Sequence, residues 1–266
     1  MFIVTYRKFF FTIAILAILF SLFAIATKGF NVGRDFKGGS IIEVSYGARP
    51  DIEIIKSSLK SAGFENPLVQ MAGETDVIVK TEALTELQRQ ELTKALSIQG
   101  TTIEEKRFNS IGPTVGKELR TKAWVAVTLV IIGIVLFLAF AFRKVSEPIS
   151  SWKYGAITTV TLVFDILVPM GIFVFLGKEV DALFIVALLA IMGLSVHDTI
   201  VVFDRIRENL KLKISNDFPT VVGKSLAQTF TRSINTSVTV MLVLGAIFFF
   251  GPESTKDFSL LLWIGM

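Results

Sequence analysis

Residues 182–203 read ALFIVALLAIMGLSVHDTIVVF, an apolar run in which only His197 and Asp198 carry ionisable side chains. As a helix, this run rises about 33 Å at ~1.5 Å per residue, enough to cross the ~30 Å hydrocarbon core of a bilayer. A charged side chain inside that core costs roughly 2.5–3.5 kcal/mol on insertion scales. The run therefore predicts a membrane-spanning helix in which Asp198 has a specific role.

The whole chain has the composition of a membrane protein. Of its 266 residues 52% are hydrophobic and 19% are charged, 24 are Phe and none is Cys. Because the apolar residues are grouped into runs of membrane length, a single water-soluble globule is excluded. The lack of cysteine excludes a disulfide framework, a thiol nucleophile and thiolate metal sites. The net charge of +4 is too small an excess to indicate nucleic-acid binding.

Runs of about 20 apolar residues predict five complete spans, at residues 9–27, 124–142, 152–176, 182–203 and 233–250. A sixth begins at Phe258 and stops with the chain at Met266, so either a C-terminal piece is missing or the chain is a fragment. The alternative for the first run is a cleaved signal peptide, because Ala24-Ile25-Ala26 resembles a cleavage site. The run is longer than a typical h-region of about 7–15 residues, which favours an uncleaved anchor.

The positive charges of the short loops predict the orientation. With the N-terminus inside, the inner segments hold eleven Lys and Arg residues and the short outer loops hold two. Positive charge accumulates on the cytoplasmic side, so residues 28–122 are expected outside the membrane. The inner residues are Arg7, Lys8, Arg143, Lys144, Lys153, Arg205, Arg207, Lys211, Lys213, Lys224 and Arg232, and the outer ones are Lys178 and Lys256.

Short alternating elements characterise residues 40–111. Strands are predicted at 40–46, 67–71, 76–80 and 101–108, and helices at 51–62 and 85–98. The order βαββαβ predicts a ferredoxin-like α+β domain. Its second helix is expected to turn Leu87, Leu92, Ala95 and Leu96 toward the core. The segment has no histidine, phosphate loop or metal-ligand cluster, so a docking or handling module is expected there and not an enzyme.

Polar residues inside three consecutive spans form the candidate site. Asp165, Asp198 and Arg232 each lie on a helix face with further polar residues. If these faces meet, changing the distance between Asp198 and Arg232 would load or release a proton. The alternatives are that Arg232 snorkels to the surface, that Asp165 is a protonated structural residue, and that His197 only packs locally. The companions are Thr158 and Thr161, then Ser195 and Thr199, then Gln228, Asn235 or Thr236, and Thr239.

Residues 215–228 are expected to form a separate short amphipathic helix on the inner surface. Phe218, Val221, Val222 and Leu226 would then face lipid.

Four motifs carry a resemblance to a known family: residues 33–39 (GRDFKGG), 110–116 (SIGPTVG), 197–209 (HDTIVVFDRIREN) and 231–237 (TRSINTS). In that order they resemble the SecF family of bacterial protein-export membrane proteins, within the resistance-nodulation-division (RND) superfamily. The resemblance implies a polytopic α-helical protein, a six-span RND-type half-bundle with one ferredoxin-like extracytoplasmic domain. The sixth span would be truncated here. The implied domains are a first span at 1–27, the outer domain at 28–122 and spans two to six at 123–266.

The resemblance also implies partners and a function. It implies a multi-pass protein of the bacterial cytoplasmic (inner) membrane that pairs with SecD, associates with the SecYEG channel and with membrane lipid, and acts on an unfolded preprotein. The proton-motive force, or a sodium gradient, would drive late steps of export, after the step driven by the cytoplasmic ATPase, and no cofactor is implied. Ion-coupling roles fall on Asp198, Arg232 and Asp165, with His197 standing where many members have Asn. The implied structural motif residues are Gly33, Asp35, Phe36, Gly38, Gly39, Gly112, Pro113, Asp204, Arg205, Arg207, Asn235 and Thr236.

Three other functions compete with this interpretation. An intramembrane aspartyl protease would use two aspartates on neighbouring spans, but residues 193–197 read GLSVH and lack the Gly-x-Gly-Asp of that family. An RND-superfamily exporter of a lipid or small molecule usually has twelve spans in one chain, so the single half visible here favours protein export. A passive scaffold predicts that Asp198→Asn leaves export unchanged.

Overall fold

The chain folds as a polytopic α-helical membrane protein. A computed structural model describes residues 2–64, 67–98, 101, 103–141 and 151–266. Within these residues five helices are long and apolar enough to cross a membrane, and each overlaps one predicted span. The predicted inner loop with Arg143 and Lys144 lies outside the described residues. The chain divides into two compact units, a membrane unit of Met1–Asn31 with Val125–Met266 and a second unit of Val32–Trp124.

The helices and strands are numbered in chain order. The helices are α1 (Phe2–Thr5), α2 (Arg7–Lys28), α3 (Arg34–Lys37), α4 (Ile52–Ser61), α5 (Glu86–Leu96), α6 (Pro113–Ala141), α7 (Ser151–Phe175), α8 (Ala182–Lys211), α9 (Phe218–Phe250) and α10 (Glu253–Gly265). The strands are β1 (Asn31–Val32), β2 (Gly39–Tyr46), β3 (Leu68–Ala72), β4 (Asp76–Thr81), β5 (Ile103–Ile111) and β6 (Glu179–Val180).

Small residues allow α2 to pack closely on α7 in the membrane unit. Ser21 is fully buried, and a Cβ added to Gly171 would overlap the Cβ of Ser21. Apolar contacts then join α7 to α8, where Leu162, Met192 and Val196 form a buried cluster. Because lipid is as apolar as these side chains, close van der Waals packing holds the helices together more than water exclusion does.

The Val32–Trp124 unit is built on a four-stranded antiparallel sheet of order β3-β4-β2-β5. Its elements follow the predicted order βαββαβ. The side chain of Asp51 accepts a hydrogen bond from Glu53 N at 2.9 Å, and Thr85 and Gln88 form a capping box. These caps satisfy N–H groups that have no partner inside their helices. The core of the unit includes fully buried Ile42 and Leu59.

The prediction that Leu87 faces this core is wrong. Its side chain is 74% exposed, whereas Leu92 and Leu96 are fully buried. Five residues turn an α-helix by about 140° beyond one full turn, so Leu87 and Leu92 lie on different faces of α5.

The prediction of a separate surface helix at 215–228 is also wrong. Residues from Phe218 onward belong to α9, a single helix of 33 residues, and Val221 is fully buried instead of facing lipid. At ~1.5 Å per residue α9 is about 50 Å long, and α8 with 30 residues is about 45 Å long, both longer than the ~30 Å core. We call residues 204–228, where α8 and α9 meet across a short turn, the hairpin.

Candidate functional site

A cavity of about 240 Å³ lies between helices α7, α8, α9 and α10 of the membrane unit. Two carboxylates and four hydroxyl groups face it, together with apolar side chains. Among the described residues no three His, Asp or Glu side chains are grouped closely enough to hold a metal ion. The lining residues are Thr161, Asp165, Ile191, Leu194, Ser195, Asp198, Thr199, Ser237, Gly265 and Met266.

Helix α7 contributes Asp165, which is half-buried at this cavity. The hydroxyl of Ser195 on α8 donates a hydrogen bond to Oδ2 of Asp165. Pro169 lies four residues further along α7 and has no backbone N–H, so it cannot donate the usual helical hydrogen bond to the Asp165 carbonyl. Of the polar residues predicted to share a face of this span, Thr161 and Asp165 line the cavity, whereas Thr158 donates to the Tyr154 carbonyl of its own helix.

Helix α8 contributes Ser195, Asp198 and Thr199, whose spacing of three and four residues places them on one face. Asp198 is half-buried and forms no ion pair with any described residue. His197 is exposed and does not line the cavity, because adjacent helical residues point about 100° apart. His197 therefore points away from the cavity, although Asp198, its neighbour in the sequence, lines it.

The structure brings Asp165 and Asp198 to one cavity and places Arg232 outside it. Helix α9 reaches the cavity through Ser237, which the sequence analysis did not select. Arg232 comes five residues earlier, about 140° around the helix and about 7.5 Å along it, and it is exposed. Thr236 Oγ1 donates to the Arg232 carbonyl at 3.0 Å, a bond within α9. Arg232 is therefore not one of the residues that line the cavity shared by the two carboxylates.

A second polar cluster joins α8 to α9 at the hairpin. Asn209 Nδ2 donates to Ser225 Oγ and to Gln228 Oε1, both at 2.8 Å. Arg205 Nε donates to the same Gln228 oxygen at 2.6 Å, and its Nη1 forms an ion pair with Glu208 at 2.6 Å. Sequence reasoning treated Gln228 as part of the Arg232 face and did not select Asn209 or Ser225, because a polar pair between helices is not visible in either helix alone.

The two glycine-rich motifs meet in the Val32–Trp124 unit. Gly38 has φ of 85°, and a Cβ there would lie 2.8 Å from Pro113 Cα. A Cβ on Gly116 would lie 2.9 Å from Gly38 N and 3.1 Å from Asp35 O. The motifs at 33–39 and 110–116 therefore pack backbone against backbone, which only glycine permits at these positions.

Asp76 and Tyr46, which both lie outside the spans, have pKa values that their surroundings shift. The hydrogen bond from Lys106, at 2.6 Å, holds the pKa of Asp76 below its usual value. Burial raises the pKa of Tyr46 from 10.0 to about 12, and its hydroxyl donates to Leu96 O at 3.0 Å. Both groups stabilise the sheet unit and lie away from the cavity residues along the chain.

Comparison with known proteins gives the chain a family. Residues 91–266 match the family model described as protein export membrane protein SecD/SecF, C-terminal. A protein translocase subunit SecF of Thermobaculum terrenum is 39% identical, over 99% of this chain and 87% of that protein. The protein of the same name from Haemophilus influenzae is 34% identical, over 98% of this chain and 78% of that protein.

Solved structures agree with this assignment. The crystal structure of SecDF, a translocon-associated membrane protein from Thermus thermophilus, matches 98% of this chain with a TM-score of 0.83 at 28% identity. SecDF in its super-membrane-facing form matches with a TM-score of 0.68 at 29% identity. In each case the chain spans 35% of the SecDF chain, about a third of its length. The chain belongs to the SecD/SecF family of protein export membrane proteins.

Proposed function

We propose that the chain is an accessory subunit of the Sec protein translocase that couples the proton-motive force, or a sodium gradient, to late steps of preprotein export. The observation that carries this proposal is the cavity shared by Asp165 and Asp198 on neighbouring helices. The names of the similar proteins favour protein translocation over export of a lipid or small molecule. The proposed role is mechanical and requires no enzymatic step.

The two carboxylates supply the coupling. With both ionised, Asp165 and Asp198 repel each other and draw in a cation; when a proton or sodium ion neutralises one of them, the repulsion falls and α7 and α8 can approach. Moving one elementary charge across the membrane supplies about 2.3 kcal/mol per 100 mV, enough to bias two helix arrangements. Arg232 keeps the ion-coupling role that the resemblance implies. It is the basic residue of α9 that lies nearest along the helix to Ser237 at the cavity.

The topology and partners complete the proposal. Residues 1–27 form the first span, residues 28–122 a ferredoxin-like domain outside the inner membrane, and residues 123–266 spans two to six. Helix α10 would supply the visible part of the sixth. The observed βαββαβ order and sheet topology support the ferredoxin-like assignment. SecD is the proposed partner because the similar SecDF chain is about three times as long, and SecYEG and unfolded preprotein follow from the translocase role.

The test is export of a secreted reporter into membrane vesicles with the ion gradient clamped on or off. We expect Asp198→Asn and Arg232→Met to lose most gradient stimulation while keeping ATP-driven export and copurification with SecD. Glu253→Gln, on exposed α10 surface away from the cavity, is the matched control and should behave as wild type. Unchanged stimulation in Asp198→Asn would show a passive scaffold.

A further inference from the structure

The hairpin is joined by side chains that are almost fully buried. Asn209 is 1% exposed and Ser225 is 0% exposed. Both hydrogens of the Asn209 amide are used, one toward Ser225 Oγ and one toward Gln228 Oε1. Ser225 in turn donates to the Val221 carbonyl at 2.8 Å, so it is held in place by its own helix. Buried donors without acceptors are costly, so these groups resist separation of α8 from α9.

The turn between the two helices is also fixed at both ends. Ile214 N donates to Asn209 O at 3.3 Å and Lys213 N donates to Leu210 O at 3.1 Å, with Lys213 in the left-handed region at φ 49°. This is the Schellman arrangement that closes a helix C-terminus. Asp217 then accepts from Thr220 N at 3.0 Å and caps α9. Backbone hydrogen bonds thus close the end of α8, and the Asp217 side chain caps the start of α9, on the two sides of the turn.

The contact between α7 and α8 is different in kind. At the cavity it includes the Ser195–Asp165 hydrogen bond, whose acceptor is one of the groups that an entering ion would neutralise. Helix α7 also carries Pro169, which weakens it beside Asp165. A change of charge in the cavity therefore acts on the α7 side, whereas the bonds of Asn209 do not involve an ionisable group of the cavity.

We propose that α8 and α9 move as one rigid body, with Asn209 as the positioning residue that joins them, and that the cavity opens and closes by movement of α7 against this pair. The inference deepens the proposed ion coupling and rests on it for its consequence in export. The rigidity of the hairpin itself is independent of that function and can be measured separately.

The first measurement is dipolar electron paramagnetic resonance on the full chain in lipid nanodiscs. The chain has no cysteine, so spin labels at Lys211→Cys and Lys224→Cys are unique, and both side chains are exposed. We expect one narrow distance distribution that is the same at acidic and neutral pH. Asn209→Ala and Gln228→Leu should broaden it. Gln228→Glu is the matched control, because its carboxylate still accepts from Asn209 and Arg205.

The second measurement replaces the hydrogen bond between Asn209 and Ser225 with a disulfide bond. In Asn209→Cys with Ser225→Cys, the reduced form lacks the hydrogen bonds and the oxidised form ties the helices together. We expect the reduced form to lose about tenfold of its gradient-stimulated export, as the loss of two hydrogen bonds allows, and the disulfide form to recover it. ATP-driven export without a gradient should be the same in both forms, which separates positioning from a folding defect.

Two results would overturn the inference. One is a wild-type distance distribution between residues 211 and 224 that shifts with pH, or that is unchanged in Asn209→Ala. The other is a disulfide form that blocks gradient stimulation, since the hairpin would then have to flex. If wild type shows no gradient stimulation at all, the proposed function fails, and the resonance measurement still decides whether the hairpin is rigid.

Discussion

Ser195 on α8 donates its hydroxyl hydrogen to Oδ2 of Asp165 on α7, and the bond lies on the wall of the cavity that Asp198 shares. A hydroxyl that donates to a carboxylate fixes the direction in which the carboxylate points. This contact links the charge state of the cavity to the distance between two spans.

Removing this hydroxyl should weaken ion coupling. We expect Ser195→Ala to reduce gradient-stimulated export by about tenfold, the equivalent of one hydrogen bond to a charged group. Asp165→Asn should reduce it at least as far. Thr199→Ala is the control, because Thr199 lines the cavity without a side-chain bond to Asp165. Vesicle export with and without a gradient measures the effect, and a wild-type response from Ser195→Ala would contradict it.

Gly116→Ala should destabilise the sheet unit. Its Cβ would lie 2.9 Å from Gly38 N, a backbone atom that cannot move aside, so we expect a cost of about 1–3 kcal/mol. Gly112→Ala is matched, since a Cβ there meets nothing within 4 Å. Hydrogen exchange of peptides from residues 32–124 in the intact chain gives the measurement. Equal exchange in the two variants would exclude the backbone contact.

Gly171→Ala should separate α2 from α7. The new methyl group would overlap Ser21, and overpacked interfaces lose about 1–3 kcal/mol. Gly155→Ala lies on the same helix with open space at its Cβ and should leave the melting temperature in detergent unchanged. Finding both variants equally stable would argue against the close α2–α7 packing.

The sheet unit should lose stability in alkali because of Tyr46. Its pKa is raised from 10.0 to about 12 by burial, so the neutral form is favoured on folding. This contribution is complete below pH 10 and is lost as the pH rises toward about 12. Subtilisin digestion of residues 32–124 should accelerate across that window in wild type. Tyr46→Phe should lack the acceleration, and its alkaline phenolate absorbance should lack the component that ionises near pH 12.

Local patterns in the sequence were sufficient for most of the architecture. Apolar runs of about bilayer length predicted the five candidate spans found among the described residues, because the cost of burying polar groups in lipid acts on each helix separately. Alternating apolar residues in the strands and helical spacing in the helices predicted the βαββαβ order for the same reason, since each signal lies within one element.

Helix lengths and facing residues needed the tertiary structure. The sequence indicated that Asp165, Asp198 and Arg232 were polar residues at membrane depth, but it could not show which of them meet. A rotation of α9 by about 140° decides whether Arg232 or Ser237 faces the cavity. Buried pairs such as Asn209 with Ser225 likewise exist only once two helices pack. The sequence alone determined the spans, the order of the elements and the family motifs; packing between helices decided that two carboxylates share a cavity while the arginine lies outside it.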